Sequence, residues 1–285
     1  MGPFEIEKID DLISFSIKND LPSRHKPLFN DQPLLHEEFE VFFIAAGEVS
    51  WFIENKMHVA EPGSLILFND REVHKLHIRS DKRFKRVKLL FNPEMIRSFE
   101  VKGHNLLSCF IDRPKGKGNI RNLSAQESIE ITKLFDKMEQ AYANESSESK
   151  LLKLISFLEI LLFTNKVFKE YDKNNESQNF KEPIASILNY IEDNIAGDLS
   201  LDTISRKCGI SVYHMCRIFK KETGSTIHNY ILFKRVAEAQ HLLEEGWKPG
   251  KVGAMCGFGA MSRFIAAFKK VTGESPSAFK KRKGV

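Results

Sequence analysis

The feature that most constrains this chain is a passage written twice in its last third. The first copy runs Cys208-Gly209-Ile210, then eight residues, then Phe219-Lys220-Lys221-Glu222-Thr223-Gly224. The second runs Cys256-Gly257-Phe258, then nine residues, then Phe268-Lys269-Lys270-Val271-Thr272-Gly273. The closing glycines lie 49 positions apart, and a match of this length marks a duplicated structural unit. Each copy carries the local grammar of two short helices joined by a tight turn. In the first, Leu201, Ile204 and Cys208 are expected inward and Gly209 at the turn. Ser211 is expected to cap the next helix, Met215, Ile218 and Phe219 to face the core, and Gly224 to end it. In the second, a helix from Lys251 to Cys256 turns at Gly257 and continues from Met261 to Val271, with Phe264 and Phe268 inward. The segment from Ile227 to Leu243 reads as a long helix that fixes the two units relative to each other.

Charge says what such a pair is for. Residues 182–285 hold 16 Lys+Arg against 10 Asp+Glu, whereas the rest of the chain holds 27 against 28, so the net charge of +5 resides almost wholly in the duplicated region. A local basic excess on a helical frame is the footprint of a polyanion binder. Two second helices held about 34 Å apart can enter successive major grooves of a duplex. The residues left on their outer faces are Val212, Tyr213, Cys216, Arg217 and Lys220 in the first unit. In the second they are Met261, Ser262, Arg263, Ile265, Ala266 and Lys269.

The four cysteines (Cys109, Cys208, Cys216, Cys256) are scattered, with no C-x-x-C pair to suggest a zinc ribbon or a disulfide framework. No signal peptide is expected at the start of the sequence. The most apolar stretch, 151–168, is interrupted by Lys153, Glu159, Asn165 and Lys166 and is too short and polar to span a bilayer. A cytoplasmic protein without membrane contact is expected.

Upstream, the period is that of strands. Val41 to Ile53 is aromatic and β-branched around Gly47, Ser64-Leu-Ile-Leu-Phe68 follows the turn Glu61-Pro62-Gly63, and Arg86 to Phe91 closes a run over 27–92 that predicts an antiparallel barrel or sandwich. Asn92-Pro93 then reads as a helix start, and Ser124-x-x-Glu127 as a capping box opening a helix towards Ala143. A further helix from Ser149 to Phe168 is apolar on two sides, which predicts two partners: its own barrel and a second subunit. The stretch 169–182 is polar and Asn-rich, an expected linker. From Pro183 onward, Ile184, Ile187, Leu188, Ile191 and Ile195 mark one helical face.

With these residues in hand, 183–283 resembles the C-terminal domain of the AraC/XylS family of transcription regulators. Its signature is met by Gly257-Phe258, nine residues, Phe268-Lys269-Lys270, and Gly273-Glu274-Ser275-Pro276. The resemblance places base- and backbone-contacting roles at Val212, Tyr213, Cys216 and Arg217, and at Met261, Ser262, Ile265 and Ala266. Arg217 is the expected chief reader. The family often has Arg at Ala266 and Ala at Gly253, two departures that imply weaker reading by the second unit.

His36-x3-Glu40-x6-Gly47 and Gly63-x5-Asn69 to His74 resemble the two halves of the cupin barrel signature, with Leu34 at the first ligand position. The remaining His36, Glu40 and His74 are of the type that suits Fe, Mn or Zn. Whether they bind an ion is left open by the sequence; no metal or cofactor is expected, and no enzymatic activity. The family resemblance implies a barrel that senses a small molecule, with His36, Glu40, Phe42, Trp51, His74 and His77 as ligand-contact candidates.

The reading is thus an α+β multidomain chain. Residues 1–168 form a cupin-like sensor barrel with dimerisation helices, 169–182 a linker, and 183–285 an all-α domain of two helix-turn-helix units. Its expected role is that of a promoter-binding regulator, an activator answering to a small-molecule effector. The expected partners are double-stranded DNA, a second copy of the chain and RNA polymerase.

Overall fold

A computed structural model describes residues 8–20, 35–77, 83–99, 102–144, 146, 148–169 and 182–284. The expected strand residues before 35, the ligand position at Leu34 and nearly all of the expected linker lie outside the described residues.

A short helix α1 (Ile9–Leu12) leads into β1 (Ile13–Asp20). Then come β2 (Phe39–Ala46), β3 (Val49–Ile53), β4 (Lys56–Ala60), β5 (Ser64–Phe68), β6 (His74–His77), β7 (Phe84–Phe91) and β8 (Ile120–Asn122). They form two antiparallel sheets, one in the order β1-β7-β2-β5-β8 and the other β4-β3-β6. Alternation along β2 assigns its two faces. Phe39, Val41 and Phe43 pack outward against helices, while Phe42 and Ile44 join Trp51, Ile53, Ile66, Phe68 and Leu76 between the sheets. Gly47 turns β2 into β3 at φ 82°, and a Cβ there would lie 2.7 Å from that of Phe84, so only glycine fits.

The outer face of the larger sheet is covered by α3 (Ala125–Ala143) and α4 (Ser149–Lys169), with the small α2 (Ser108–Ile111) beside them. The capping box opens α3 as expected, the Ser124 hydroxyl accepting from the Glu127 amide and the Glu127 carboxylate from the Ser124 amide. After Asn92 the chain makes a 3-10 helix, Pro93–Phe99, in place of the expected α-helix start. On α4, Phe157, Ile160, Leu161 and Phe163 are buried, whereas Leu151 (51% exposed), Ile155 and Leu162 (55%) form a bare apolar stripe.

Seven helices follow: α5 (Ile184–Asp193), α6 (Leu201–Cys208), α7 (Val212–Thr223), α8 (Ile227–Glu244), α9 (Pro249–Met255), α10 (Met261–Thr272) and α11 (Pro276–Arg282). They make two lobes. In one, Ile187, Leu188 and Ile191 of α5 and Ile204 of α6 pack on Met215 and Phe219 of α7. In the other, Val252 and Cys256 pack on Phe264, Phe268 and Phe279. Helix α8 belongs to both, giving Tyr230 and Ile231 to the first core and Val236, Ala239 and Leu243 to the second. The expected inward Leu201 is 37% exposed instead: it is the first residue of α6, where the stripe runs off the helix end.

The first lobe also rests on the barrel. Phe52 and Met57, on the outer face of the smaller sheet, are buried in the lobe's core, and burying each stabilises the contact by about 1.5–3 kcal/mol.

Candidate functional site

Two places collect the candidate residues: the exposed faces of the second helices in each lobe, and a polar cluster between the sheets. The cluster has the more unusual geometry. Glu40 lies on the inner face of β2 and is fully buried. His36 enters just before β2, and its Nε2 stands 3.0 Å from Glu40 Oε2. His74, at the start of β6, places Nε2 3.5 Å from the same oxygen. Lys88 of β7 brings its ammonium to 3.5 Å of that oxygen as well.

The ring of His74 stacks on Phe68 at 3.9 Å and lies 5.9 Å from Trp51, which in turn meets Phe42 edge-on at 4.9 Å. The structure therefore brings five of the six ligand candidates together: His36, Glu40, Phe42, Trp51 and His74. The sixth, His77, ends β6 opposite Ser50. Phe42 and Trp51 are packed as core, while Glu40 Oε1, Trp51 Nε1 and His74 Nε2 are buried without a hydrogen-bond partner.

Burial alone would push the Glu40 carboxyl up, but the hydrogen bond with His36, the close approach of His74 and the charge of Lys88 hold it well below the usual carboxylate range. Burial likewise pulls His36 down, yet the hydrogen bond and charge of Glu40 outweigh it and leave the imidazole raised. The buried Glu40 carboxyl is thus kept in its charged form by the groups beside it.

A second buried cluster, which no sequence signal singles out, joins barrel to helices. The two-residue hairpin Glu54-Asn55 links β3 to β4, with Glu54 at φ 55°, the left-handed geometry that two-residue turns require. The Glu54 carboxylate accepts from the Val73 amide at 2.7 Å and pairs with Lys234 of α8. Its carbonyl accepts from the Tyr230 hydroxyl at 2.9 Å, and Asn55 donates to Glu192 of α5 at 2.6 Å. Elsewhere Lys75 donates to the Gly224 carbonyl, and Arg282 of α11 donates to Glu37 at 2.8 Å. A cleft of about 1200 Å³ opens beside this junction, with Asn69, Arg71 and Arg113 on the barrel side and Glu238, His241 and Arg282 on the other.

On α7 the outer face is as expected. Tyr213 is 79% exposed, Arg217 and Lys220 are exposed, and Val212 and Cys216 are half-buried at its edge. Ser211 caps the helix by accepting from the His214 amide, and Gly224 ends it at φ 71°. On α10, Met261, Ser262, Arg263, Ile265, Ala266 and Lys269 are all exposed while Phe264 and Phe268 are buried. One departure read from the sequence acquires a packing reason. Gly253 is buried beneath Phe264, and a Cβ there would meet that ring at 2.9 Å. The glycine makes room for a large neighbour.

Comparison with known proteins adds the family. The model of the AraC-like ligand binding domain matches residues 22–161, and that of a helix-turn-helix domain matches 204–282. The HTH-type transcriptional activator RhaR of Mannheimia succiniciproducens is 22% identical over 252 residues, spanning 88% of this chain and 87% of that protein. The multiple antibiotic resistance protein MarA of Salmonella typhimurium is 42% identical over 66 residues, 23% of this chain and 52% of that protein. Among solved structures, the apo form of a ToxT variant from Vibrio cholerae covers 94% of this chain and 97% of its own, at 13% identity and a TM-score of 0.38. Among the described residues no helix is long and apolar enough to cross a membrane. The chain belongs to the AraC/XylS family of transcription regulators, with an AraC-like ligand-binding domain preceding its helix-turn-helix domain.

Proposed function

We propose that this protein is a cytoplasmic activator of transcription, without enzymatic activity, that reads a promoter through α7 and α10 and answers to a small-molecule effector held by its N-terminal domain. The observation that carries the reading is the duplicated unit. Two helices, one from each copy and each exposing a row of side chains that includes Arg or Lys, stand on one shared helix, α8. Lys and Arg neutralise phosphates, and Arg217 is the side chain suited to paired hydrogen bonds with guanine. Residues 1–168 are the sensing and dimerising part, 169–182 the linker and 183–285 the DNA-binding part. The bare stripe Leu151, Ile155 and Leu162 on α4 is the surface on which a second copy would pack, and RNA polymerase is the further protein partner of an activator.

Because the interior around Trp51 is filled by packed side chains, the effector is placed in this reading at the mouth of the barrel; the cleft beside α8 and α11 supports a second reading, in which the effector wedges between the domains. The test is selection of bound fragments from the source genome by purified protein at about 150 mM salt, where nonspecific phosphate binding is weakened. A shared sequence with two preferred segments about one helical turn apart is expected. Recovery of fragments with no common sequence, with and without cell extract as a source of effector, overturns the reading.

A further inference from the structure

Both histidines of the inter-sheet cluster are held in one orientation by their chain neighbours. His36 Nδ1 lies 2.8 Å from the carbonyl of Glu38, and His74 Nδ1 lies 2.9 Å from that of Glu72. A carbonyl only accepts, so each Nδ1 carries the hydrogen and each neutral ring turns an Nε2 lone pair toward Glu40. Two lone pairs and a carboxylate then converge on one point, an arrangement that calls for positive charge. A second proton on His36 answers that call at one nitrogen; a metal ion answers it at both.

The spacing suits a metal ion. Ligand atoms of His36, Glu40 and His74 all lie within 4.8 Å of one another, and the two Nε2 stand 3.0 and 3.5 Å from Oε2. Donors at about 2.0–2.2 Å from one ion sit about 3.0–3.5 Å apart in octahedral or tetrahedral order. The backbone carbonyls behind each imidazole are the second shell that metal-bound histidines ordinarily have. Glu40 Oε1 and His74 Nε2, both buried, lack any other hydrogen-bond partner. The His74 ring is fixed against Phe68 and Trp51, at 3.9 and 5.9 Å between ring centroids. Among the described residues the ammonium of Lys88 also approaches, but it meets only Oε2 and comes on a side chain 20% exposed, long enough to withdraw.

The chain neighbours of the two histidines also touch the helical domain. Beside His36, Leu35 packs with Phe233 and Ala237 of α8, and Glu37 pairs with Arg282. Beside His74, Val73 packs on the same two residues and its amide donates to Glu54, the partner of Lys234, while Lys75 donates to the Gly224 carbonyl. Each imidazole is therefore one peptide unit away from residues that contact the helical domain.

We propose that His36, Glu40 and His74 form a site for one divalent transition-metal ion of the zinc, iron or manganese class, whose occupancy sets how firmly the helix-turn-helix domain docks on the barrel. Imidazole and carboxylate select such ions over calcium or magnesium. The regulatory half rests on the N-terminal domain being a sensor; the binding half does not.

The test uses tag-free full-length protein, stripped with chelator and titrated with Co²⁺. One ion per chain is expected, with visible d–d absorption and quenching of Trp51 in a Trp247→Phe background. Glu40→Gln and His36→Gln should each weaken uptake by about 100-fold or more with unchanged circular dichroism, and Lys88→Met should tighten it. Absence of uptake at millimolar Co²⁺ in both wild type and Lys88→Met overturns the site, as does uptake untouched by either ligand substitution. Hydrogen exchange of α8 should slow when the site is loaded, and equal exchange in loaded and stripped protein overturns the coupling. Fragment selection from the genome succeeds or fails independently of all these readings.

Discussion

The two helix-turn-helix lobes share a backbone plan but are held together by different means. The first is polar in its details: Ser211 caps α7, and the Ser205 hydroxyl donates to the Ile210 carbonyl across the turn. The second replaces these with volume. Gly253 stands where Ser205 does, Phe264 where Met215 does, and Ala260 provides no side-chain cap for α10. Its turn is one residue longer and uses two left-handed glycines, Gly257 at φ 76° and Gly259 at φ 68°. The lesson is that a duplicated motif keeps where the helices go and not what holds them there. The smaller residue at 253 and the larger at 264 are one exchange, made in complementary sizes.

The largest contrast should appear at the turn glycines. Gly257 has the Ala196 carbonyl oxygen 2.7 Å from where a Cβ would be, whereas Gly209, at φ 64°, has open space around it. Gly257→Ala should cost about 2–4 kcal/mol and Gly209→Ala about 1–2 kcal/mol, read from urea unfolding; equal losses would break the contrast. Next comes DNA reading. Arg217→Ala should weaken binding to the preferred sequence by about 1–3 kcal/mol, roughly 10- to 100-fold. Ala266→Arg should move preference toward the second half-site, and a fully retained site preference in Arg217→Ala would remove that residue as chief reader.

Smaller still, Gly253→Ala should cost about 1–2 kcal/mol, the overpacking against Phe264 exceeding the gain in helix propensity. Adding Phe264→Met should recover part of that loss, and strict additivity in the double-mutant cycle would refute the size exchange. Last, Ser211→Ala should lose about 1 kcal/mol while Ala260→Ser gains a few tenths to about 1 kcal/mol. Thermal unfolding of the two variants measures whether caps are as unequal as they look.

Much of this was legible in the residues. The Ser124 box and the stripe after Ser149 gave α3 and α4 almost to the residue, because caps and helical periods are local signals. Ser64 to Phe68 gave β5 for the same reason: a turn on one side and an unbroken apolar run. Strands β1, β4, β6 and β8 were not separately legible. They are short or mixed in polarity, and it is pairing that makes them strands. The docking of the first lobe was hidden altogether, since Phe52 and Met57 look like any strand residues until the other face of the sheet proves covered. For the site, the exposed rows of α7 and α10 followed from helical period. What the sequence could not show is that His36 and His74 aim the same nitrogen at Glu40, because that depends on backbone carbonyls two residues away.

Helix α8 carries a consequence for the DNA rather than for the protein. Tyr230 sits in one core and Leu243 in the other, 13 residues apart, or about 20 Å along a rod of 1.5 Å per residue. A rod does not stretch or swivel, so the phase between the two reading heads is set by the chain. Each base pair inserted between the two halves of a target would rotate one half by about 34–36° around the duplex axis. Helix α8, unbroken from Ile227 to Glu244, offers no joint with which to follow, and the protein's binding sites in a genome should keep one fixed spacing even where their letters drift.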